Sequence, residues 1–187
     1  MTLFVTALKC EADPIVKLFD LTALKNHKFN IFKNEKSILV VCGIGNINAS
    51  IATTYMVNRF DITKAVNLGI CGSFDKNDKL GEIFDVKKVI EDSTQKVYHL
   101  KNSKKFAPSK TLYSFDKAQN SPKFKNALAD MESIGFFLSA RKFIDQKEIY
   151  ILKVVSDHAN GQILKKTQVS SFIEKYNDLY RKIVYES

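Results

Sequence analysis

The chain has 187 residues, 45% hydrophobic and 26% charged, which suits one domain over residues 1–187 and excludes a disordered chain. No apolar run approaches the roughly 20 residues that span a bilayer, and the opening Met1-Thr2-Leu3-Phe4-Val5 lacks the basic lead of a secretion signal, so the expected location is the cytoplasm, away from membranes. The formal net charge of +9 is almost all lysine, with arginine only at Arg59, Arg141 and Arg181. That composition reads as a solvated surface, not as specific nucleic-acid recognition, which uses the arginine fork.

In chain order, residues 3–8 read as a strand and 12–19 as a helix. Strands follow at 28–32 and 38–42, the second containing the wholly apolar Ile38-Leu39-Val40-Val41. A helix at 48–60 leads to strands at 65–69, 83–90, 111–115 and 127–131. A helix at 133–143 then precedes a strand at 150–156 that only Lys153 interrupts, as expected of a strand buried on both faces. The last helix, 169–185, repeats Phe172, Ile173, Tyr176, Leu179, Tyr180 and Ile183 at helical spacing; this is a packing stripe and not a cofactor box. Apolar strands alternating with amphipathic helices imply an α/β fold.

Cys10, Cys42 and Cys71 lie in or beside apolar runs without metal-ligand spacing, so they read as buried thiols, and no metal is expected. Glycines gather at strand ends: Gly43 and Gly45, Gly69 and Gly72, then Gly81. The turn Cys42-Gly43-Ile44-Gly45 opens a helix but lacks the third glycine and the following acid of a dinucleotide fingerprint. It still offers backbone N–H groups to a sugar or an anion. Glu11, Glu132 and Asp157 each follow a strand. Singly, each also reads as a helix cap or a surface acid. Around one pocket they would be partly desolvated carboxylates suited to proton transfer.

Five ordered segments carry a resemblance: Ala7-Leu8-Lys9-Cys10-Glu11, Gly43-Ile44-Gly45-Asn46-Ile47-Asn48-Ala49, Asn67-Leu68-Gly69-Ile70-Cys71-Gly72-Ser73 with Leu80-Gly81-Glu82-Ile83, Asp130-Met131-Glu132-Ser133, and Val155-Ser156-Asp157-His158-Ala159. In order and position they resemble the methylthioadenosine/adenosylhomocysteine nucleosidases of the purine nucleoside phosphorylase superfamily. The resemblance implies a three-layer α/β/α fold with a central mixed, mostly parallel sheet, a homodimer, a small nucleoside as the partner molecule, and no cofactor. It implies that Glu11 activates water and that Asp157 protonates the departing purine at N7. It assigns Met131, Glu132, Gly69 and Ile70 to the ribose, with Gly69 in a loop lining the sugar. Ser156, Ala118 and Gln119 are assigned to the base.

Breaking an N-glycosidic bond builds positive charge on the sugar and negative charge on the base, and paired carboxylates answer both changes. Phosphorolysis needs a phosphate clamp of arginines; the corresponding position holds Asn67, and Glu11 would repel phosphate. Hydrolysis is the expected reaction, with a phosphorylase, or a nucleoside-binding homologue with little turnover, as alternatives. The chain departs from the resembled pattern in four places. Ile70 stands for a serine, Asp130 for a glutamate, and Ala118 and Gln119 stand where an aromatic and an aliphatic residue hold adenine. The stretch 85–116 is shorter than in the nucleosidases.

Overall fold

The computed structural model describes residues 1–119, 124–160, 162 and 164–186. In chain order the elements are β1 (Thr2–Thr6), α1 (Lys9–Leu18), β2 (Thr22–Leu24), β3 (Asn30–Lys33), β4 (Ser37–Val41), α2 (Asn46–Arg59), β5 (Lys64–Ser73) and β6 (Ile83–Glu91). They continue with β7 (Val97–His99), β8 (Ser109–Ser114), β9 (Ala127–Asp130), α3 (Ser133–Ala140), a 3-10 turn (Gln146–Glu148), β10 (Ile149–Asp157), α4 (Lys166–Glu174) and α5 (Asn177–Tyr185). Each strand expected from apolar patterning is present. Two more, β2 and β7, are three residues long and too polar to stand out.

All ten strands join one mixed sheet. Parallel ladders join β1 to β4 and β5, β10 to β5, and β8 to β6 and β9. Shorter antiparallel ladders join the other neighbours, and the sheet is mixed, as expected.

The sheet is not an open layer throughout. One edge of β5 serves two partners, β1 along residues 64–67 and β9 at residues 72–73, while its other edge pairs with β10. Since β10 continues through β6, β8 and β9 back to β5, those five strands close into a ring. The ten-residue length of β5 makes this possible, and the strand expected there ended at Gly69.

Burial follows the alternation along the strands. Leu3 and Val5 of β1 join the cluster that holds Ala49, Ala52 and Met56 of α2 and Ile134, Phe136 and Phe137 of α3. Phe4, between them, joins Ala12, Ile15 and Phe19 of the α1 region with Ile173, Tyr180 and Ile183 of α4 and α5. The single C-terminal helix expected over 169–185 is two: the backbone leaves helical geometry at Tyr176, whose hydroxyl donates to the Gly81 carbonyl at 2.6 Å. No helix among the described residues is long and apolar enough to cross a membrane.

Candidate active site

Glu11 is the third residue of α1, one turn past the end of β1. Its Oε2 accepts from the backbone N–H of Ala7 at 3.0 Å and of Leu8 at 2.9 Å, satisfying donors that a helix start leaves unpaired. Its Oε1 accepts from the Ile70 N–H on β5 at 2.9 Å. Burial pushes this carboxyl above its ordinary range, while the three N–H donors and Lys153 pull against that shift. Gly69 makes the approach possible. A β-carbon there would stand 2.8 Å from Glu11 Oε1. The expected loop position of Gly69 is corrected by the structure: it lies within β5, behind the Glu11 carboxylate, and is not among the residues lining the cavity described below.

Glu132 occupies the corner between β9 and α3. Its Oε1 accepts from Gly45 N–H at 2.9 Å and its Oε2 from Met131 N–H at 3.4 Å. The helix-start donor that the Gly43–Gly45 turn offers is thus taken by a carboxylate of the chain itself. Burial, and next the charge of Asp130, push the Glu132 carboxyl up to about 7, with Lys153 and the Gly45 donor opposing.

Asp157 ends β10, where the register with β5 slips between Val155 and Asp157. Such a bulge breaks the strand alternation next to a site. Within it, Ser156 is within hydrogen-bond distance of two acceptors, the Cys71 carbonyl at 3.0 Å and Asp157 Oδ2 at 2.7 Å.

Glu11, Glu132 and Asp157 line one cavity of about 240 Å³. Met131, Ile70, Ser156, Ala118 and Gln119 line it as well, so among the expected site residues only Gly69 stands behind the wall. Among the described residues no arginine lines the cavity, and Lys117 is its cation. A second cavity of about 760 Å³, between α1 and α4, shares Leu8, Ile70, Ser156 and Asp157 with the first.

Sequence reasoning missed the group beneath these acids. Lys153 is buried, and its Nζ lies 2.8 Å from Asp130 Oδ2, both side chains being 1% exposed. Burial pulls the ammonium toward neutrality, but Asp130, Glu132 and Glu11 outweigh it and hold its pKa above the ordinary lysine value. Asp130 also accepts from the Ser133 N–H at 3.1 Å, and the Ser133 hydroxyl lies 2.5 Å from it. Asn67, opposite that hydroxyl at 3.3 Å, donates to the Val5 carbonyl at 3.2 Å. The available signal was a lysine inside an otherwise apolar strand, because a charge is kept in such a place only when paired. Among the described residues no group of three or more His, Cys, Asp or Glu is arranged to hold a metal ion.

Comparison with known proteins places the chain in a family. The 5′-methylthioadenosine/S-adenosylhomocysteine nucleosidase of Staphylococcus aureus (strain JH9) is 33% identical over 67 residues, covering 34% of this chain and 29% of that protein. The match thus spans less than a third of that relative's length. Two solved Helicobacter pylori structures superpose on the whole chain. The 5′-methylthioadenosine/S-adenosylhomocysteine nucleosidase with butyl-thio-DADMe-Immucillin-A has a TM-score of 0.83 at 16% identity, covering 100% of this chain and 98% of that one. Native futalosine hydrolase has a TM-score of 0.83 at 16% identity, covering 100% and 97%. At that identity they show a shared fold. The family model described as the phosphorylase superfamily matches residues 3–121, well over half of the chain, and the chain therefore belongs to the phosphorylase superfamily.

Proposed function

We propose that the chain is a nucleosidase that hydrolyses the N-glycosidic bond of a purine-type nucleoside resembling methylthioadenosine or adenosylhomocysteine. The observation that carries this reading is the meeting of Glu11, Glu132 and Asp157 around one cavity. In the reaction the bond between ribose C1′ and the base nitrogen breaks, and its electron pair goes to the base. Asp157, aligned by Ser156, delivers a proton to N7 of the departing purine. Glu11 takes a proton from water as the water oxygen bonds to C1′. Glu132 and Met131 hold the ribose, Ile70 walls it, and binding energy orients the reacting carbon. Ala118 and Gln119 border the base. Acid and base are both side chains, so the chemistry calls for neither cofactor nor metal.

Water is favoured over phosphate because the cavity wall holds carboxylates and no arginine. The adjoining larger cavity gives room for a substituent on the nucleoside. Ile47 and Ile51, 76% and 55% exposed, lie one turn apart on α2, and Ile44, 53% exposed in the turn before that helix, also lines the site. This exposed apolar strip supports a homodimer with its sites near the contact, and the packing of α2 and α3 with Leu3 and Val5, and of α1, α4 and α5 with Phe4, supports a three-layer arrangement of helices about the sheet. A cytoplasmic location is part of the same reading.

The test is a panel of purine nucleosides assayed for free base with and without phosphate. We expect phosphate-independent release, lowered at least about 100-fold in kcat by Asp157→Asn and by Glu11→Gln with the fold retained. Release that requires phosphate would make the chain a phosphorylase. Binding without release would make it a nucleoside-binding homologue. Release unaffected by both substitutions would remove the mechanism.

A further inference from the structure

Three buried carboxylates, Glu11, Asp130 and Glu132, share one buried cation. They come from three elements or corners, α1, β9 and the β9–α3 junction, while Lys153 comes from the middle of β10. In the β10–β5 ladder Lys153 stands opposite Gly69, the residue that backs the Glu11 carboxylate. Leaving a charge unpaired in such a place is far more costly than pairing it. The Lys153–Asp130 pair lies inside the closed part of the sheet, and the Ser133 and Asn67 hydrogen bonds tie its acid to the first turn of α3 and to β5.

We propose that Lys153 is a positioning residue of this site, and that through its ion pair with Asp130 it holds the charge of Glu132, two residues further on, in the form that accepts hydrogen bonds from a sugar. The sugar-binding role of Glu132 rests on the function proposed above; the charge arrangement does not. Asp130 and Lys153 push Glu132 in opposite directions, the first favouring its protonated form and the second its carboxylate. The other titratable groups acting on this cluster are Glu11 from α1, Cys42 after β4 and Cys71 on β5, both thiols being pushed up by burial. Neither thiol carries charge near neutrality, so beside burial it is the two carboxylates and the lysine that set the state of Glu132.

This predicts opposite effects from the two halves of the pair. Titration of the Glu132 side chain by carboxyl-carbon NMR in the unliganded protein, assigned with Glu132→Gln, is expected near pH 7 in the wild type. Lys153→Met should move it up by about one pH unit, Asp130→Asn should move it down by about one unit, and Lys153→Arg should leave it in place. A lysine that only fills space would not give shifts of opposite sign. Both variants moving Glu132 the same way, or neither moving it, overturns the proposal. If Lys153→Met fails to fold, Asp130→Asn and Lys153→Arg decide it alone: a downward shift with the first and none with the second supports it, and any other pattern overturns it.

In the hydrolysis assay Lys153→Met should raise KM at pH 7 by about fivefold, with a smaller change in kcat. A wild type without turnover would sink the nucleosidase reading and leave the titrations to decide the role of Lys153.

Discussion

At the scale of single residues the site depends on what is small as much as on what is charged. Gly69 is needed because the carboxylate of Glu11 occupies the space a β-carbon would fill. Gly69→Ala would therefore drive Glu11 from the Ile70 N–H, one of the three donors that fix it. Displacing a catalytic group by about an ångström can cost about 100-fold in rate. We expect that loss in kcat and a KM within about threefold. A variant with wild-type kcat would show that Glu11 is not held by this contact or does not act in the reaction.

The acids of the site were legible as residue types at strand ends, since a carboxylate after an apolar strand stands out. Their cation was not. Lys153 reads as an interruption in a buried run, and its partner Asp130 lies on a strand that does not pair with β10.

At the scale of elements, apolar runs located the longer strands, and helical spacing located α1, α2, α3 and the C-terminal helical stretch. The signal failed where tertiary contacts set the boundary. Tyr176 carries the same apolar spacing as its neighbours, yet its hydroxyl is taken up by Gly81 and the helix divides there. Asn46 begins α2 ahead of the expected start because its side chain has work across three elements. Its Oδ1 accepts from the Ser114 hydroxyl and from the Gly135 N–H, each at 3.1 Å, and its Nδ2 donates to the Phe115 carbonyl at 3.3 Å.

This packing of α2 on α3 predicts a strict requirement at Gly135, where a β-carbon would fall 1.8 Å from the Asn46 carbonyl oxygen. Backbone cannot yield as a side-chain tip can, so Gly135→Ala should cost about 3 kcal/mol or more, at the upper end of overpacking penalties. At the same interface, Ser139→Ala, which removes the 2.8 Å Ser50–Ser139 contact, should cost only about 1 kcal/mol. Urea unfolding of both variants checks the ranking, and equal midpoints would show that the two helices can separate without loss.

At the scale of the whole molecule, the closure of five strands into a ring was not legible, because it depends on β5 serving two partners along one edge and not on any residue pattern. Glu11 and Glu132 of the site are buried, and burial has a consequence for stability. Glu132 has an ordinary carboxyl value of 4.5 that burial and Asp130 push up to about 7 in the folded chain. Between those values the folded protein binds a proton that the unfolded chain releases. The sign follows: this contribution to stability is fully present below pH 4.5 and is lost as pH rises through about 7. It amounts to on the order of 3 kcal/mol. Glu11, also raised by burial, acts with the same sign. The ammonium of Lys153, held above the ordinary lysine value, keeps its charge across this window and adds no slope.

Glu132→Gln removes the Glu132 titration and keeps a side-chain oxygen for the Gly45 N–H. Relative to the wild type it should change stability little at pH 5 and raise it at pH 8, narrowing the fall between the two. The wild-type carboxylate at pH 8 is then a buried charge retained at the expense of stability, as expected where a side chain serves a site. Urea unfolding of both proteins at pH 5 and pH 8 measures the difference and cancels the surface charges they share. Parallel pH profiles would mean that Glu132 carries the same charge in the folded and unfolded chain, against the burial on which its proposed role depends.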